Sequence, residues 1–346
     1  MNRRDFLLGT AGVAASAVLV GCSRDRRPRL NVYNWSAYVA PDTISNFEAE
    51  FGVKVHYTTY ESNEEMLAKV LTGNSGWDVV FPTHTRLQPM REYGLLEPLR
   101  HEWLPNLRNL DARFHSPVWD PGLQWSVPYM WIGTGIVYNR SLQPAPTRWA
   151  DLWDSRLRER VTMLDDPEDM IGACLKKIGL PFDATDPDQL RRAEEAALEQ
   201  KKIIRAYLNA EVRDQLVSGD VLAAQLWNTT AQQAMDAASN LAFAYPEEGF
   251  PFYCDCATIL RESQRVELAH KFLNYVLRPN VSAAVVEYTR TATANGAAHD
   301  ILPEETRNNP TFYPPPAVFE RGEWPGTLPR AAQRLRDGIW TEIKSS

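Results

Sequence analysis

Between Leu30 and Phe81 the chain alternates short apolar runs with amphipathic segments, and this alternation constrains the fold more than any other feature. Leu30 to Tyr33 reads as a strand. Pro41-Asp42 opens a helix with Ile44, Phe47 and Phe51 on one face, and Gly52 stops it. Val53 to Thr59 reads as a second strand. Ser62-Asn63-Glu64-Glu65 forms a capping box, and Met66, Leu67, Val70 and Leu71 supply the buried face of the helix it starts. Asp78 to Phe81 is apolar enough for the middle of a parallel sheet. A βαβαβ order implies parallel pairing through right-handed crossovers. The segments Asn34–Tyr38, Tyr60–Asn63 and Pro82–Thr85 then gather at one sheet edge, where open α/β sheets keep their ligand sites. None of the three carries a glycine-rich phosphate loop, which argues against a nucleotide.

A second alternating set follows. Leu123 to Tyr138 reads as two extended pieces around Pro128, long enough to cross from one lobe to another. Val161 to Leu164 is a strand, and Asp165-Asp166-Pro167-Glu168 caps a helix through Met170, Cys174 and Ile178. Strands are expected at Leu222–Trp227 and Leu241–Tyr245, and Phe250 to Leu260 returns as an extended aromatic segment. The expected class is α/β with two lobes and a cleft between them. One lobe takes residues 30–132 plus about 256–301, the other about 135–253 plus 305–346.

The N-terminus is a targeting segment. Arg3-Arg4-Asp5-Phe6-Leu7 is a twin-arginine signature, and a small-residue apolar run from Leu8 to Val20 follows. Leu19-Val20-Gly21-Cys22 looks like a lipobox, which makes residues 1–21 a signal peptide, Cys22 the lipidation site and 22–29 a polar linker. Lipid there would hold the folded part on a membrane surface outside the cytoplasm. The formal net charge of −7 argues against nucleic acid and suits a neutral or cationic ligand. Of the remaining cysteines, Cys174 either bridges Cys254 or Cys256 or, as expected, all three are buried free thiols.

Enzyme templates fail. There is no G-x-S-x-G elbow and no H-E-x-x-H, and the six histidines show no ligand spacing. His84, just past the third strand, is expected to make a structural or ligand hydrogen bond. The acids at 165, 166, 168 and 169 lack a twelve-residue calcium loop. What stands out is a set suited to holding a cation, with aromatic rings beside carboxylates at strand ends. Trp35 and Tyr38 follow the first strand, and Asp166 and Asp169 follow the Val161 strand. Trp227 ends the Leu222 strand, and Tyr253 and Asp255 lie in the returning segment. Each aromatic face attracts an ammonium by about 0.5–2 kcal/mol. Taken singly, each residue has a plainer role as core packing or a helix cap.

The stretches YNWSAY, YESNEEMLAKV, WDVVFP, VPYMWIGTGIVYN, ADLWD, LDDPEDM, LWN, YPEEG, HKFLNYVLRPNV and YPPP together resemble the periplasmic spermidine/putrescine-binding proteins of bacterial polyamine ABC transporters. The resemblance runs from Leu30 to about Lys344. It implies a type II periplasmic-binding fold that closes on ligand like a hinge, a monomer, ABC permease subunits as partners, and neither catalysis, cofactor nor metal. It also implies that Trp35, Ser36, Tyr38 and Thr83 contact ligand from one lobe, and that Asp166 and Asp169 receive amine groups from the other. Trp227 and Tyr253 would sandwich the aliphatic chain, and Asp255 would meet a terminal ammonium. Three positions depart from the family pattern. Ala37 replaces a usual acid, Thr85 stands where spermidine binders can have tyrosine, and Thr291 falls where an aromatic is expected. One end of the pocket therefore lacks an obvious carboxylate, which Glu61 or water would replace. A shorter or singly charged amine, an amino-acid-like ligand, and a sensor that docks on a membrane receptor are the alternatives.

Overall fold

The computed structural model of the chain describes residues 25–346. The export signature and Cys22 lie outside them. Among the described residues are eleven strands and thirteen α-helices, a mixed α/β architecture. No helix among them is long and apolar enough to cross a membrane. The strands are β1 (Arg29–Trp35), β2 (Lys54–Tyr60), β3 (Val79–Val80), β4 (Ser126–Asn139), β5 (Val161–Met163), β6 (Ala206–Tyr207), β7 (Ala223–Trp227), β8 (Leu241–Ala244), β9 (Phe250–Ile259), β10 (Ala292–Thr293) and β11 (Gly322–Glu323).

Their order is β2-β1-β3-β9-β4-β7-β5-β6. β1 pairs in parallel with β2 and β3, as the βαβαβ pattern requires, and β5 pairs in parallel with β6 and β7. β9 is antiparallel to both β3 and β4. β4 is the common member. Its first half pairs with β9, and Thr134 to Asn139 pair with β7 and β8. The two pieces expected around Pro128 are thus one fourteen-residue strand. Pro128 has no N–H for the ladder, and the strand absorbs it as a register shift between Pro128 and Met130.

The helices follow local chemistry with some displacements. Thr43–Phe51 ends on Gly52 at φ +64°, a left-handed cap that glycine adopts without Cβ strain. The helix Asn63–Val70 is capped by Ser62, whose Oγ accepts the Glu65 amide at 3.1 Å. The return bond of the expected box goes one residue further back, from the Glu61 amide to Glu65 Oε2 at 3.0 Å. Leu71, expected on the buried face, is 49% exposed: the buried side of the helix runs through Met66 and Val70, and Leu71 follows the half-buried Leu67 one turn on. The expected third strand is only Val79–Val80. Its neighbour Asp78 is buried and accepts from Ser263 Oγ at 2.7 Å while pairing with Arg265 at 3.2 Å. Pro279–Thr289 is a helix that the pattern does not announce, since its valines and small residues carry no clear apolar period. Among the described residues Cys174, Cys254 and Cys256 are free and buried, so no bridge joins Cys174 to either of the others.

Candidate functional site

The segments after β1, β2 and β3 meet those after β5 and β7, together with one face of β9, around a cavity of about 480 Å³. All nine side chains singled out above line it.

The β1 side is fixed first. Trp35 donates its indole N–H to the Phe81 carbonyl at 2.8 Å, and the Tyr60 hydroxyl donates to the same carbonyl at 2.6 Å. The Trp35 and Tyr60 rings lie 4.6 Å apart, so the indole is held by packing as well as by its hydrogen bond. Ala37 then takes φ +53°, a left-handed conformation that costs a non-glycine residue roughly 1–2 kcal/mol. Beyond that turn the Tyr38 hydroxyl donates to Oδ2 of Asp255 at 2.7 Å. Thr83 donates its hydroxyl to Oδ1 of Asp255 at 2.8 Å and accepts from Asn63 Nδ2 at 3.0 Å. Ser36 donates to Glu61, so the acid that could make up for Ala37 does line the cavity.

Asp255 is 5% exposed, and its two oxygens meet only neutral hydroxyls. Burial raises its pKa to about 6, against the pull of the Tyr38 and Thr83 hydrogen bonds. β9 explains the placement. Residues two apart share a face, so Tyr253 and Asp255 point into the cavity, while Cys254 and Cys256 lie on the other face with their sulfurs 3.8 Å apart. The Tyr253 hydroxyl is buried without a partner.

The opposite wall begins at the helix Pro167–Lys177. Asp166 caps it, with Oδ1 accepting the Glu168 amide at 2.8 Å and the Asp169 amide at 3.0 Å. The plain role as helix cap is therefore real, and the same residue also faces the cavity. Asp169 Oδ2 accepts the Trp227 indole N–H at 2.9 Å, and Oδ1 is buried without a partner. Burial first, then the neighbouring Asp166 charge, holds the Asp169 carboxyl well above the usual carboxylate range. Thr291 is buried, lines the cavity and takes a 3.1 Å hydrogen bond from the neighbouring Thr229 hydroxyl.

Arg86 is the residue that sequence reasoning missed. It lines the cavity from the short turn after β3, 3.3 Å from Glu64 and 3.5 Å from Glu168. The signal was present, because Arg86 directly follows the segment Pro82–Thr85 expected at the sheet edge. His84 is structural. Its Nε2 donates to the Pro325 carbonyl at 2.9 Å, its Nδ1 accepts the Cys254 amide at 3.2 Å, and burial lowers its pKa to about 4. Seven carboxylates and one guanidinium line the cavity, so the site is strongly acidic overall. Among the described residues no group of three or more His, Cys, Asp or Glu side chains is placed to hold a metal ion. What the arrangement offers is a partly enclosed apolar channel with buried carboxylates that lack a counter-charge.

The profile of the bacterial extracellular solute-binding protein family matches residues 42–314. The chain is 32% identical to the putrescine-binding periplasmic protein PotF of Escherichia coli strain K12, over 100% of this chain and 99% of that protein. It is 33% identical to the spermidine/putrescine-binding periplasmic protein of Salmonella typhimurium, over 90% and 91% of the two chains. Among solved structures it is similar to a putative spermidine/putrescine ABC transporter from Listeria monocytogenes, with a TM-score of 0.87 and 29% identity, covering 92% of this chain and 99% of that one.

Proposed function

Because the chain belongs to the bacterial extracellular solute-binding protein family, we propose that it is the binding component of an ABC importer, capturing a polyamine in the cavity and passing it unchanged to the permease. One observation carries the reading: Asp255 is a buried carboxylate that, among the described residues, meets two hydroxyls and no cation. Burying such a charge alone is costly, and an ammonium placed beside it removes the cost.

In this reading one ammonium of the ligand docks on Asp255 and another on the Asp166–Asp169 pair. The methylene chain lies against Trp35, Trp227 and Tyr253. Ser36 and Thr83 supply polar contacts beside them. The lobes are residues 30–132 with about 256–301, and about 135–253 with 305–346. Ligand binding in the cleft favours the closed form, which the permease recognises. The protein works in the periplasm as a monomer, tethered through lipid on Cys22.

Isothermal titration with putrescine, spermidine, cadaverine and agmatine tests the binding reading, and heat from none of them would overturn it. For the tether, intact-mass analysis of the membrane-extracted protein should show a diacylglycerol adduct on an N-terminal Cys22. A Cys22→Ser chain should then appear in the soluble fraction.

A further inference from the structure

The carboxylates around the cavity are not equivalent, because some already have a cation. Glu64 and Glu168 both meet Arg86, at 3.3 and 3.5 Å, and Asp165 meets Lys344 at 2.7 Å. Among the described residues Asp255, Asp169 and the more exposed Glu61 have none, and Asp166 makes no ion pair, although the Arg86 guanidinium stands near enough to favour its charged form. Glu64 stands on the helix after β2, and Glu168 on the helix after β5. Arg86 therefore ties opposite walls of the cavity together with its own charge. Its side chain is only 20% exposed and also donates to Thr85 Oγ1 at 3.3 Å, which holds the guanidinium in place.

We propose that Arg86 sets the length class of the ligand: it occupies the third cation position of the cavity, so that the site takes a diamine and discriminates against a triamine. The inference rests on the polyamine reading above. A diamine needs two unpaired acidic positions, which Asp255 and the Asp166–Asp169 pair provide. A triamine brings a third ammonium: Glu61 is exposed beside Ser36, where solvent screens its charge, and the next acid along the same helix turn as the Asp166–Asp169 pair, Glu168, is already matched. The extra ammonium then faces a fixed guanidinium, and like charges in a shielded site repel strongly.

The test is titration of the full chain and its variants with putrescine, spermidine and 4-aminobutyrate. The wild-type chain should bind putrescine at least about tenfold tighter than spermidine. Arg86→Met should shift the putrescine-to-spermidine affinity ratio at least about tenfold towards spermidine, and Arg86→Lys should hold it near the wild-type value. Arg86→Met combined with Glu168→Gln should cancel the shift, since the freed acid is then gone. Arg86→Gln reads out the same quantity if the methionine variant does not fold. An unchanged ratio in the neutral variants or an equal shift in Arg86→Lys would each overturn the proposal, whereas tighter wild-type binding of 4-aminobutyrate than putrescine would overturn the polyamine reading instead. Failure of the wild-type chain to bind either amine is a different result, visible before any variant is made, and it strikes the polyamine reading itself.

Discussion

The Tyr38 hydroxyl donates to Asp255 at 2.7 Å, joining residues 217 positions apart and bringing the turn after β1 onto the middle of β9. With Thr83 on its other oxygen, the Asp255 carboxylate is oriented by two donors that bring no charge. Asp255→Asn keeps the shape and removes the charge. Hydrogen bonds to charged groups contribute about 1.5–3 kcal/mol, so amine binding should weaken roughly 10- to 100-fold. Glu195→Gln, on the exposed face of the helix Pro187–Lys201, should leave affinity within about twofold. Titration calorimetry on both variants checks this, and equal losses would count against the site.

The same carboxylate makes binding and stability depend on pH in opposite senses. The folded, ligand-free pKa is about 6, above the unfolded value of about 3.9, so the folded state holds more protons between these limits. This group's contribution to stability is therefore full below about pH 4 and is lost as pH rises through 6, on the order of 3 kcal/mol. At pH 7.5 the ligand-free Asp255→Asn chain should melt a few degrees above wild type, measured by calorimetry. Amine binding runs the other way, because it needs the ionised form. Below pH 6 affinity should fall by up to about tenfold per unit, with proton release on binding at pH 5. Titrations in buffers of different ionisation enthalpy count those protons. A flat profile from pH 5 to 8 would remove Asp255 from the ammonium site.

Much of the architecture was legible because period and punctuation agree. Phe47 under Gly52, and Ser62 under Glu65, set helices that the structure places within a residue or two. The apolar run of β9 was also plain, but its partners were not, since antiparallel pairing to β3 and β4 joins residues more than a hundred positions apart. The acids of the site could be named from their places at strand ends. Which of them already hold a cation could not, because Arg86 reaches Glu168 only through the packing of two walls. Pro128 misled for a related reason. A proline suggests a break, and the long ladder to β9 carries the strand through it.

Trp227 does two things at once, since its ring lines the cavity and its N–H is the donor to Asp169. Trp227→Phe keeps most of the ring and removes the donor, taking the 2.9 Å bond away from Oδ2 of Asp169 beside the buried Oδ1. The carboxyl should then hold its proton more firmly and offer less to an ammonium. A loss of about 1–1.5 kcal/mol is expected, roughly tenfold in affinity at pH 7, and smaller at pH 9 where the acid is more readily ionised. Trp227→Ala should lose more at both pH values, because the ring contact goes too. Equal losses for the two variants would mean that the ring contact is irrelevant, and full affinity in Trp227→Phe would mean that the indole N–H is.

Gly135 marks where β4 passes from its ladder with β9 to its ladders with β7 and β8. A Cβ there would stand 2.4 Å from the Phe243 ring and 2.6 Å from the Ala244 carbonyl oxygen. The ring has some freedom to turn aside, but the carbonyl belongs to β8, whose ladder with β4 begins at the next residue, with Ile136 opposite Ala244. Gly135→Ala should therefore push β8 off β4 and cost about 1–3 kcal/mol, the range for overpacking a well-filled interior. None of the cavity-lining side chains changes, and β4 pairs directly with β7, which ends at Trp227. The expected result is a lower unfolding midpoint in urea with an unchanged slope, and a modest loss of amine affinity that excess ligand restores. A midpoint equal to wild type would show that β8 yields freely, and that the junction in β4 does not depend on close packing.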